Sequence, residues 1–306
     1  MRKSRTASRN NIVWQSIVSF SSLRALPKRQ IIDSIYKKRG ICMVICPICG
    51  QPLTRSPHSW HCENKHSFDV ARQGYVNLLP VQQKHSIAPG DSREMVSARR
   101  SFLDRGYYLP IAEQLRRLVK PLAPQCILDA GCGEGYYLSH LSDIPERWGI
   151  DISKEAVRFA AARDKSTHWL TATAAHLPFQ DTTFDGVLSM FAFTAEAEFA
   201  RVLKPSGFFL QVLAGKSHLT ELKKIIYPEI IEKEKNLQPE LHGFTLKESH
   251  TLEFSFHLHS NDEIMQLFSM TPHIHRIGKG GAQALAQTRE LTDQAQVIFN
   301  VYQVDK

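Results

Sequence analysis

The chain has 306 residues, of which 42% are hydrophobic and 22% are charged, a composition typical of a globular protein. No run of 18 apolar residues occurs, which excludes a membrane-spanning helix, and six cysteines in so long a chain exclude a disulfide framework. The net charge of +8 is concentrated, because residues 1–42 carry +9 and the rest carry −1. A uniformly basic body, typical of nucleic-acid-binding proteins, is therefore excluded.

Residues 1–42 form a basic extension with ten Lys/Arg and one acid. Its apolar stretch, IVWQSIVSF, is short and interrupted by Gln15 and Ser16, which argues against a signal peptide. Basic tails often bind RNA, so an RNA-binding arm stays an alternative. We expect the extension to be poorly ordered or untranslated, because a chain beginning at Met43 would lose no recognisable motif.

A cysteine- and histidine-rich module is predicted for residues 43–80. Cys46, Cys49, Cys62 and His66 follow the pattern C-x2-C, a twelve-residue gap, then C-x3-H. Two short chelating pairs on separate turns are typical of a structural Zn²⁺ site; the alternative is a set of buried or redox cysteines. So small a module gains much of its folding energy from the metal. A thiolate metal cluster indicates a reducing, cytoplasmic setting.

The segment 81–106 is predicted to be a linker with one helix. It begins polar and has a turn at Pro89-Gly90, after which Asp91 or Ser92 is expected to cap a helix that runs to about Asp104.

Helices and strands are predicted to alternate through the domain 107–306. Helical spacing appears in IAEQLRRLVKPL, KEAVRFAAARD and EAEFARVLKP, and five apolar stretches are predicted strands: CILDA, RWGIDIS, HWLTATA, FDGVLSMFAF and GFFLQVLA. This rhythm predicts an α/β fold with a mostly parallel sheet and helices on both faces.

A glycine-rich turn follows the first of these strands, in ILDAGCGEGYY. Gly131, Gly133 and Gly135 let the backbone turn sharply near a ligand at the strand's carboxyl end. The spacing G-x-G-x-G is neither the dinucleotide fingerprint nor a P-loop. Asp129, just before the turn, favours a cationic ligand, and Asp151 ends the next strand, where an acid accepts hydrogen bonds from ribose hydroxyls.

These residues resemble the first motif and the ribose contact of class I S-adenosylmethionine-dependent (SAM-dependent) methyltransferases, whose fold is Rossmann-like. HLPFQDTTFDGVLSMF and RVLKPSGFF resemble later segments of the same superfamily. The chain departs from the superfamily pattern in one place. Many relatives carry an acidic residue that contacts the adenine just before LPF, whereas this chain has TATAAH there. Thr173, Ala174 or backbone groups are expected to take its place.

A narrower resemblance covers residues 43–305. The zinc pattern followed by FDVARQGYVNLLPVQ, PGDSREMVSARRSFLDRGYY, LDAGCGEGYY and HLTELKKIIY is similar to the RlmA (RrmA) family of bacterial 23S rRNA (guanine-N1)-methyltransferases. The module then resembles a zinc ribbon. The resemblance implies a homodimer that methylates a guanine in the helix 35 hairpin, and one branch modifies the neighbouring position and confers macrolide resistance. It also implies cofactor contacts from Tyr108, Gly133, Glu134 and His218.

Guanine N1 carries a proton at neutral pH, so the reaction needs a group that accepts it. Glu221 and His218 are candidates, because both lie near the carboxyl end of the fifth strand. The stretch SMFAFTAEAEF, which departs from the family pattern, lies in the region beside the methyl group. Candidate RNA contacts are basic residues near the module: Arg72, Lys84, Arg93, Arg99 and Arg100.

Two other functions stay open at this point. LPF, FD and RVLKPGG-like segments also occur in small-molecule methyltransferases of quinone pathways, which usually lack the zinc cluster. A non-enzymatic zinc protein that binds RNA is the second alternative. The intact Asp129, glycine turn and Asp151 argue against it.

Overall fold

An eight-stranded sheet organises this protein in a computed structural model that describes residues 44–83, 89–230 and 236–306. These residues belong to one compact unit, Gly40–Lys306. None of the helices in the described ranges is long and apolar enough to cross a membrane. The predictions made for residues 1–42 and for Lys84 lie outside the described residues.

Strands and helices alternate through most of the described chain, as predicted. The strands are β1 (Thr54–Arg55), β2 (Ser59–His61), β3 (Ser67–Asp69), β4 (Val76–Asn77), β5 (Cys126–Ala130), β6 (Glu146–Asp151), β7 (His168–Thr171), β8 (Phe184–Met190), β9 (Leu203–Ala214), β10 (Phe244–Leu258) and β11 (Leu291–Val304). The helices are α1 (Arg93–Asp104), α2 (Leu109–Val119), α3 (Tyr136–Ser139), α4 (Lys154–Arg163), α5 (Glu196–Val202), α6 (Thr220–Ile226), α7 (Asn261–Ser269) and α8 (Lys279–Gln287).

The large sheet has the strand order β10-β11-β9-β8-β5-β6-β7-β4. Strands β4 to β9 pair in parallel, and β11 pairs antiparallel with both β9 and β10. The chain runs outward from β5 through β6 to β7 and then returns to β8 on the other side of β5. This reversal opens a crevice between the carboxyl ends of β5 and β8, where open α/β sheets bind ligands.

Helix α1 begins where the sequence placed it. The Ser92 hydroxyl accepts a hydrogen bond from the Met95 amide, and the helix ends at Asp104. A side-chain oxygen at this position satisfies one of the amides that the first helical turn leaves unpaired. Ser153 caps α4 in the same way through the Ala156 amide. The helix predicted within the segment 81–106 is therefore present at Arg93–Asp104.

Hydrophobic side chains pack on both faces of the sheet. Alternate residues of β5 point to opposite faces, so that Ile127 packs in one core while Leu128 packs in the other. The first core also holds α2 and the inner side of the β10–β11 hairpin. The predicted parallel sheet with covered faces is confirmed.

The cysteine-rich module is continuous with the second core. Its strands β1, β2 and β3 form a small antiparallel sheet. Trp60 of β2 packs edge-on against Trp148 of β6, with ring centroids 6.4 Å apart, and the Arg55 guanidinium lies 4.5 Å from the Trp148 ring centroid. Strand β4, inside the predicted module 43–80, pairs with β7 at the edge of the large sheet. The domain boundaries stay a prediction, but packing runs across residue 80.

The β10–β11 hairpin was not predicted. These two long strands pair over almost their whole length and continue the sheet beyond β9. The chain between them forms α7 and α8. Asn300 of β11 is fully buried and donates a hydrogen bond to the Leu237 carbonyl at 2.8 Å.

Candidate cofactor cavity and metal centre

Two tight turns shape the metal centre. The Gly50 amide donates to the Cys46 carbonyl at 2.8 Å, and the Lys65 amide donates to the Cys62 carbonyl at 3.0 Å. Gly50 and Lys65 both have positive φ, +70° and +64°, as a chain that reverses so sharply requires. Each turn thereby holds one chelating pair.

All four predicted metal ligands converge on one point. The Sγ atoms of Cys46, Cys49 and Cys62 and one ring nitrogen of His66 lie within 4.8 Å of one another. Cys49 Sγ and Cys62 Sγ are 3.7 Å apart, and His66 Nδ1 is 3.6 Å from Cys46 Sγ and 3.4 Å from Cys62 Sγ. Tetrahedral Zn²⁺ with Zn–S of about 2.3 Å gives edges of roughly 3.6–3.8 Å. The donor set and its spacing therefore fit zinc.

The glycine turn after β5 lies at the crevice of the large sheet. The Gly131 and Cys132 amides both donate to the Ile150 carbonyl of β6 at 2.9 Å. Gly131 has φ +93°, and a Cβ there would lie 2.5 Å from the Ala192 Cβ in the loop after β8. A glycine is required because the turn and this loop touch. Gly135 packs instead against Trp169, 2.7 Å from its would-be Cβ.

Asp129 is a buried carboxylate behind the turn. It is 1% exposed, and neither of its oxygens has a hydrogen-bond partner among the described residues. Burial, with a smaller contribution from the nearby Asp151 carboxylate, raises the pKa of Asp129 to about 8. An uncompensated buried carboxylate is costly unless a cation approaches it. This environment fits a cationic ligand such as the methionyl end of SAM.

Glu134 has a second incompletely paired carboxylate in the turn itself. Its Oε2 accepts a hydrogen bond from Arg163 Nε at 2.8 Å, whereas Oε1 has no partner among the described residues and the residue is 1% exposed. Burial raises the pKa of Glu134 to about 7, and Arg163 opposes that shift. Glu134 lines the cavity, so its second oxygen is placed to accept a hydrogen bond from a ligand.

Asp151 joins the end of β6 to the glycine turn. Its Oδ2 accepts a hydrogen bond from the Gly133 amide at 2.9 Å, and its Oδ1 accepts one from the Ser153 amide at 2.8 Å. Burial nevertheless raises the pKa of Asp151 above its usual range. Since each carboxylate oxygen has two acceptor sites, Asp151 can still bind ribose hydroxyls.

Aromatic and imidazole rings form the opposite wall. The Tyr108 hydroxyl lies 3.4 Å from His218 Nε2, and the His218 ring stacks on Phe191 with centroids 6.2 Å apart. Tyr108 is almost fully buried, and burial raises its pKa. The resemblance placed Tyr108 and His218 at the cofactor, and the fold brings them together although 110 residues separate them in sequence.

A cavity of about 1710 Å³ spans both walls. Most predicted cofactor residues line it: Tyr108, Gly131, Gly133, Glu134, Asp151 and His218. Thr173 and Ala174, expected near the adenine, also line it. Asp129 and Gly135 lie outside the lining that the described residues form, so Gly135 is expected to act through the turn that it supports and Asp129 through its charge behind that turn.

The two candidate proton acceptors are placed differently. His218 lines the cavity, whereas Glu221 is not among the described lining residues. The Glu221 carboxylate instead forms an ion pair with Lys224 Nζ at 2.7 Å. The sequence placed both near the carboxyl end of β9 but carried no information on their side-chain directions.

Of the four described basic residues that the sequence singled out, one lies at the cavity. Arg99 lines the cavity, where its guanidinium pairs with Asp91 and donates to the Met270 carbonyl at 3.4 Å. Arg100 pairs with Asp104 at 3.4 Å, and Arg72 and Arg93 are exposed. Four other basic residues line the cavity: Lys216, Lys223, Lys224 and Arg276. Three of the four, Lys216, Lys223 and Lys224, lie in the basic stretch GKSHLTELKK, which is a sequence signal for a basic cavity wall.

Comparisons with known families agree with this arrangement. Residues 44–87 match the family model described as "RlmA, N-terminal", a zinc ribbon, and residues 128–211 match the model described as "Methyltransferase domain". Fold and site thus define a class I SAM-dependent methyltransferase that carries a zinc ribbon. Its cofactors are SAM and a structural zinc ion.

Sequence relatives narrow the class. A Streptomyces fradiae protein named 23S rRNA (guanine(748)-N(1))-methyltransferase is 38% identical over 194 residues, which cover 61% of this chain and 68% of that protein. YxjB of Bacillus subtilis is 32% identical over 222 residues, covering 68% and 77%. The chain belongs to the RlmA family of 23S rRNA (guanine-N1)-methyltransferases.

A more distant similarity shows what the fold alone leaves open. The mouse mitochondrial arginine-hydroxylase NDUFAF5 is 32% identical over 224 residues, covering 68% of this chain and 64% of that protein. A related chain thus carries the name of a different reaction, and a fold does not determine chemistry.

Proposed function

We propose that this protein transfers a methyl group from SAM to N1 of a guanine in the helix 35 hairpin of 23S rRNA. One observation carries the proposal: a cavity suited to a cationic cofactor lies in one compact unit with a zinc ribbon of the RlmA type. The name of the Streptomyces fradiae relative gives guanine 748, and we propose the same position here. A cytoplasmic homodimer fits this substrate and family.

The chain's own residues position the reactants. SAM supplies a methyl group on a sulfonium, which is a good leaving group. Asp129 and Glu134 would favour the cationic end of the cofactor, and Asp151 would accept hydrogen bonds from its ribose. Holding the methyl carbon in line with the incoming nitrogen removes most of the entropic barrier, so the rigid turn after β5 is the main contribution of this wall.

Guanine N1 lies on the Watson–Crick edge, so a paired target base must leave its helix before it reacts. The basic rim of the cavity supports RNA binding. Lys216, Lys224 and Arg276 are exposed and line the cavity, and cationic side chains of this kind neutralise backbone phosphates. This local placement explains how a nearly neutral body binds RNA.

His218 is the proposed acceptor of the N1 proton, because it is the candidate that lines the cavity. His218→Gln keeps a polar side chain but removes a base that works near neutral pH. We expect kcat to fall about 100-fold, within the range for general-base removal, with a smaller change in the Kd of SAM. Single-turnover rates and calorimetric cofactor binding measure the two effects. A variant that loses cofactor affinity in proportion to activity would make His218 a cofactor contact only.

Methylation of a defined RNA tests the proposal. Purified protein and radiolabelled SAM are incubated with a helix 35 hairpin transcript and with a matched transcript in which adenine replaces guanine 748. We expect label in the first RNA only, and a primer-extension stop at that base. Labelling of both transcripts would place the reaction elsewhere, and labelling of neither would favour a small-molecule methyltransferase or a non-enzymatic RNA-binding protein.

A further inference from the structure

Two phenylalanines stand in the loop that follows β8. Phe191 is 39% exposed and Phe193 is 70% exposed, and both line the cavity. A single exposed apolar side chain is ordinary on a protein surface. These two differ because they lie at the crevice between β5 and β8, where the reaction is expected.

Hydrogen bonds hold the loop on both sides of Phe193. The Phe191 amide donates to the Val212 carbonyl at 3.0 Å, and the Ser189 hydroxyl donates to the Ala192 carbonyl at 3.3 Å. On the other side, Gln211 Nε2 donates to the Thr194 hydroxyl at 3.0 Å. Phe193 is therefore exposed on a loop that hydrogen bonds hold in place.

The same loop touches the cofactor turn. The would-be Cβ of Gly131 lies 2.5 Å from the Ala192 Cβ, so the residue between the two phenylalanines contacts the glycine turn directly. The two rings accordingly lie beside the place where the turn is expected to hold SAM.

The two rings have different surroundings. Phe191 packs against His218 at 6.2 Å and Tyr137 at 6.3 Å between centroids, and its φ of +56° is unusual for a non-glycine residue. Strained backbone of this kind clusters at functional sites. Within the described ranges, Phe193 has no aromatic neighbour in ring contact. Phe191 is thus part of the wall, and Phe193 projects from it.

We propose that Phe193 stacks on the purine ring of the target guanine, holding the extruded base at the cavity mouth. The inference rests on the proposed function and adds a positioning residue to it. A base that leaves its helix loses its stacking neighbours, and proteins commonly replace them with exposed aromatic rings. Every base has a π-face that can stack on an aromatic ring. Phe193 therefore holds the guanine but does not distinguish it from other bases.

Three substitutions of Phe193 distinguish the effect of aromatic stacking from that of apolar side-chain volume. Phe193→Ala removes the ring, Phe193→Leu keeps apolar volume without a ring, and Phe193→Trp keeps a stacking surface. We expect kcat/KM for the helix 35 hairpin to fall about 10- to 100-fold for Ala and for Leu, as for loss of one base–aromatic stack. Trp is expected to keep activity within about threefold, since indole also stacks on bases. Leu122→Ala, at a 46% exposed site outside the cavity, is the matched control.

Cofactor affinity completes the test. All three variants should bind SAM with the wild-type Kd, since Phe193 is assigned to the base. A Phe193→Leu variant as active as the wild type overturns the stacking role, and so does loss of SAM binding in Phe193→Ala. A wild-type protein that fails to methylate RNA overturns the proposed function and this inference with it, whereas an active wild type with an equally active Leu variant overturns only this inference.

Discussion

Single carboxylates decide how the cofactor cavity responds to charge. Glu134 has an arginine beside it, but Asp129 has no ion-pair or hydrogen-bond partner among the described residues. A group in this state destabilises the cofactor-free fold when it ionises and stabilises a bound cation. Asp129 therefore lowers the stability of the cofactor-free fold and raises the affinity for a cationic ligand, a combination that is common at functional sites.

Replacing Asp129 by Asn tests whether this carboxylate lowers the stability of the cofactor-free fold. Between the usual pKa of an aspartate and about 8, the unfolded chain is ionised while folded Asp129 keeps its proton, so the wild type loses stability as pH rises through that window. Asp129→Asn lacks this loss. We expect its Tm without cofactor to exceed that of the wild type by more at pH ~7.5 than at pH ~5. Thermal melts at both pH values measure the difference.

Above pH ~8, where Asp129 is ionised, the same variant should bind SAM more weakly than the wild type, because it lacks the negative charge. Wild-type affinity should increase as pH rises towards and above 8, where Asp129 ionises, and the variant should lack that increase. Asp69→Asn, at an exposed position of β3, is the matched control. An unchanged pH dependence in Asp129→Asn would show that another group controls cofactor affinity.

At the scale of elements, the contact between the turn after β5 and the loop after β8 joins the two halves of the site. It depends on Gly131, where both a positive φ and a close approach exclude a side chain. Gly106 provides a comparison, since its φ is +83° but nothing lies within 4 Å of its would-be Cβ. A comparison of substitutions at the two glycines therefore distinguishes the effect of backbone strain from that of a steric clash.

Alanine at these positions should have unequal effects. Gly106→Ala adds only left-handed strain, and we expect it to cost about 1–2 kcal/mol of unfolding free energy with SAM affinity unchanged. Gly131→Ala adds a clash with Ala192 and should displace the loop, so SAM affinity and methylation should both fall by more than about tenfold, since misplaced groups lose rate steeply. Equal SAM affinities in the two variants would contradict a coupled turn and loop. Denaturant titration and calorimetry measure the effects.

The elements differ in how far the sequence reveals them. The strands β5 to β9 are short apolar runs with helices between them, a local signal that identifies them. Strand β10, FTLKESHTLEFSFHL, alternates buried and exposed residues only weakly, and 32 residues separate it from its partner β11. Pairing over that separation leaves no local pattern, so the hairpin could not be predicted.

The site was predictable to a similar degree. Metal ligands and glycines occur at fixed spacings, so chelation and backbone geometry can be read from the chain. The sequence placed the stretch SMFAFTAEAEF beside the methyl group but did not single out Phe193, because the exposure of that ring at the crevice depends on tertiary packing. The direction of Glu221, away from the cavity, depends likewise on tertiary packing.

At the scale of the whole molecule, the zinc ribbon and the large sheet share one hydrophobic core. Cys46 and Cys62 are buried in the same core as Leu128 of β5 and Trp148 of β6. Val44 forms a bridge with Phe179, which packs edge-on against Trp148. We therefore expect zinc binding to stabilise one face of the methyltransferase sheet as well as the module.

Removal of zinc should reveal this coupling. Cys46→Ala/Cys49→Ala is expected to lose the metal and to lower the Tm of the whole unit, because structural zinc contributes folding energy directly. Well below that Tm, we expect SAM binding to persist and RNA methylation to be lost. His61→Ala, an exposed histidine outside the cluster, should keep both zinc and Tm. Loss of SAM binding at low temperature would mean that the ribbon serves only to hold the fold.

The proposed reaction adds the methyl group to a guanine base of 23S rRNA. Its most direct test is mass spectrometry of the nuclease fragment that contains helix 35, isolated from 23S rRNA treated with the wild-type protein and SAM. We predict one added methyl group, located at N1 of guanine 748. An unmodified fragment after complete reaction, or a methyl group on any other atom, would contradict this account.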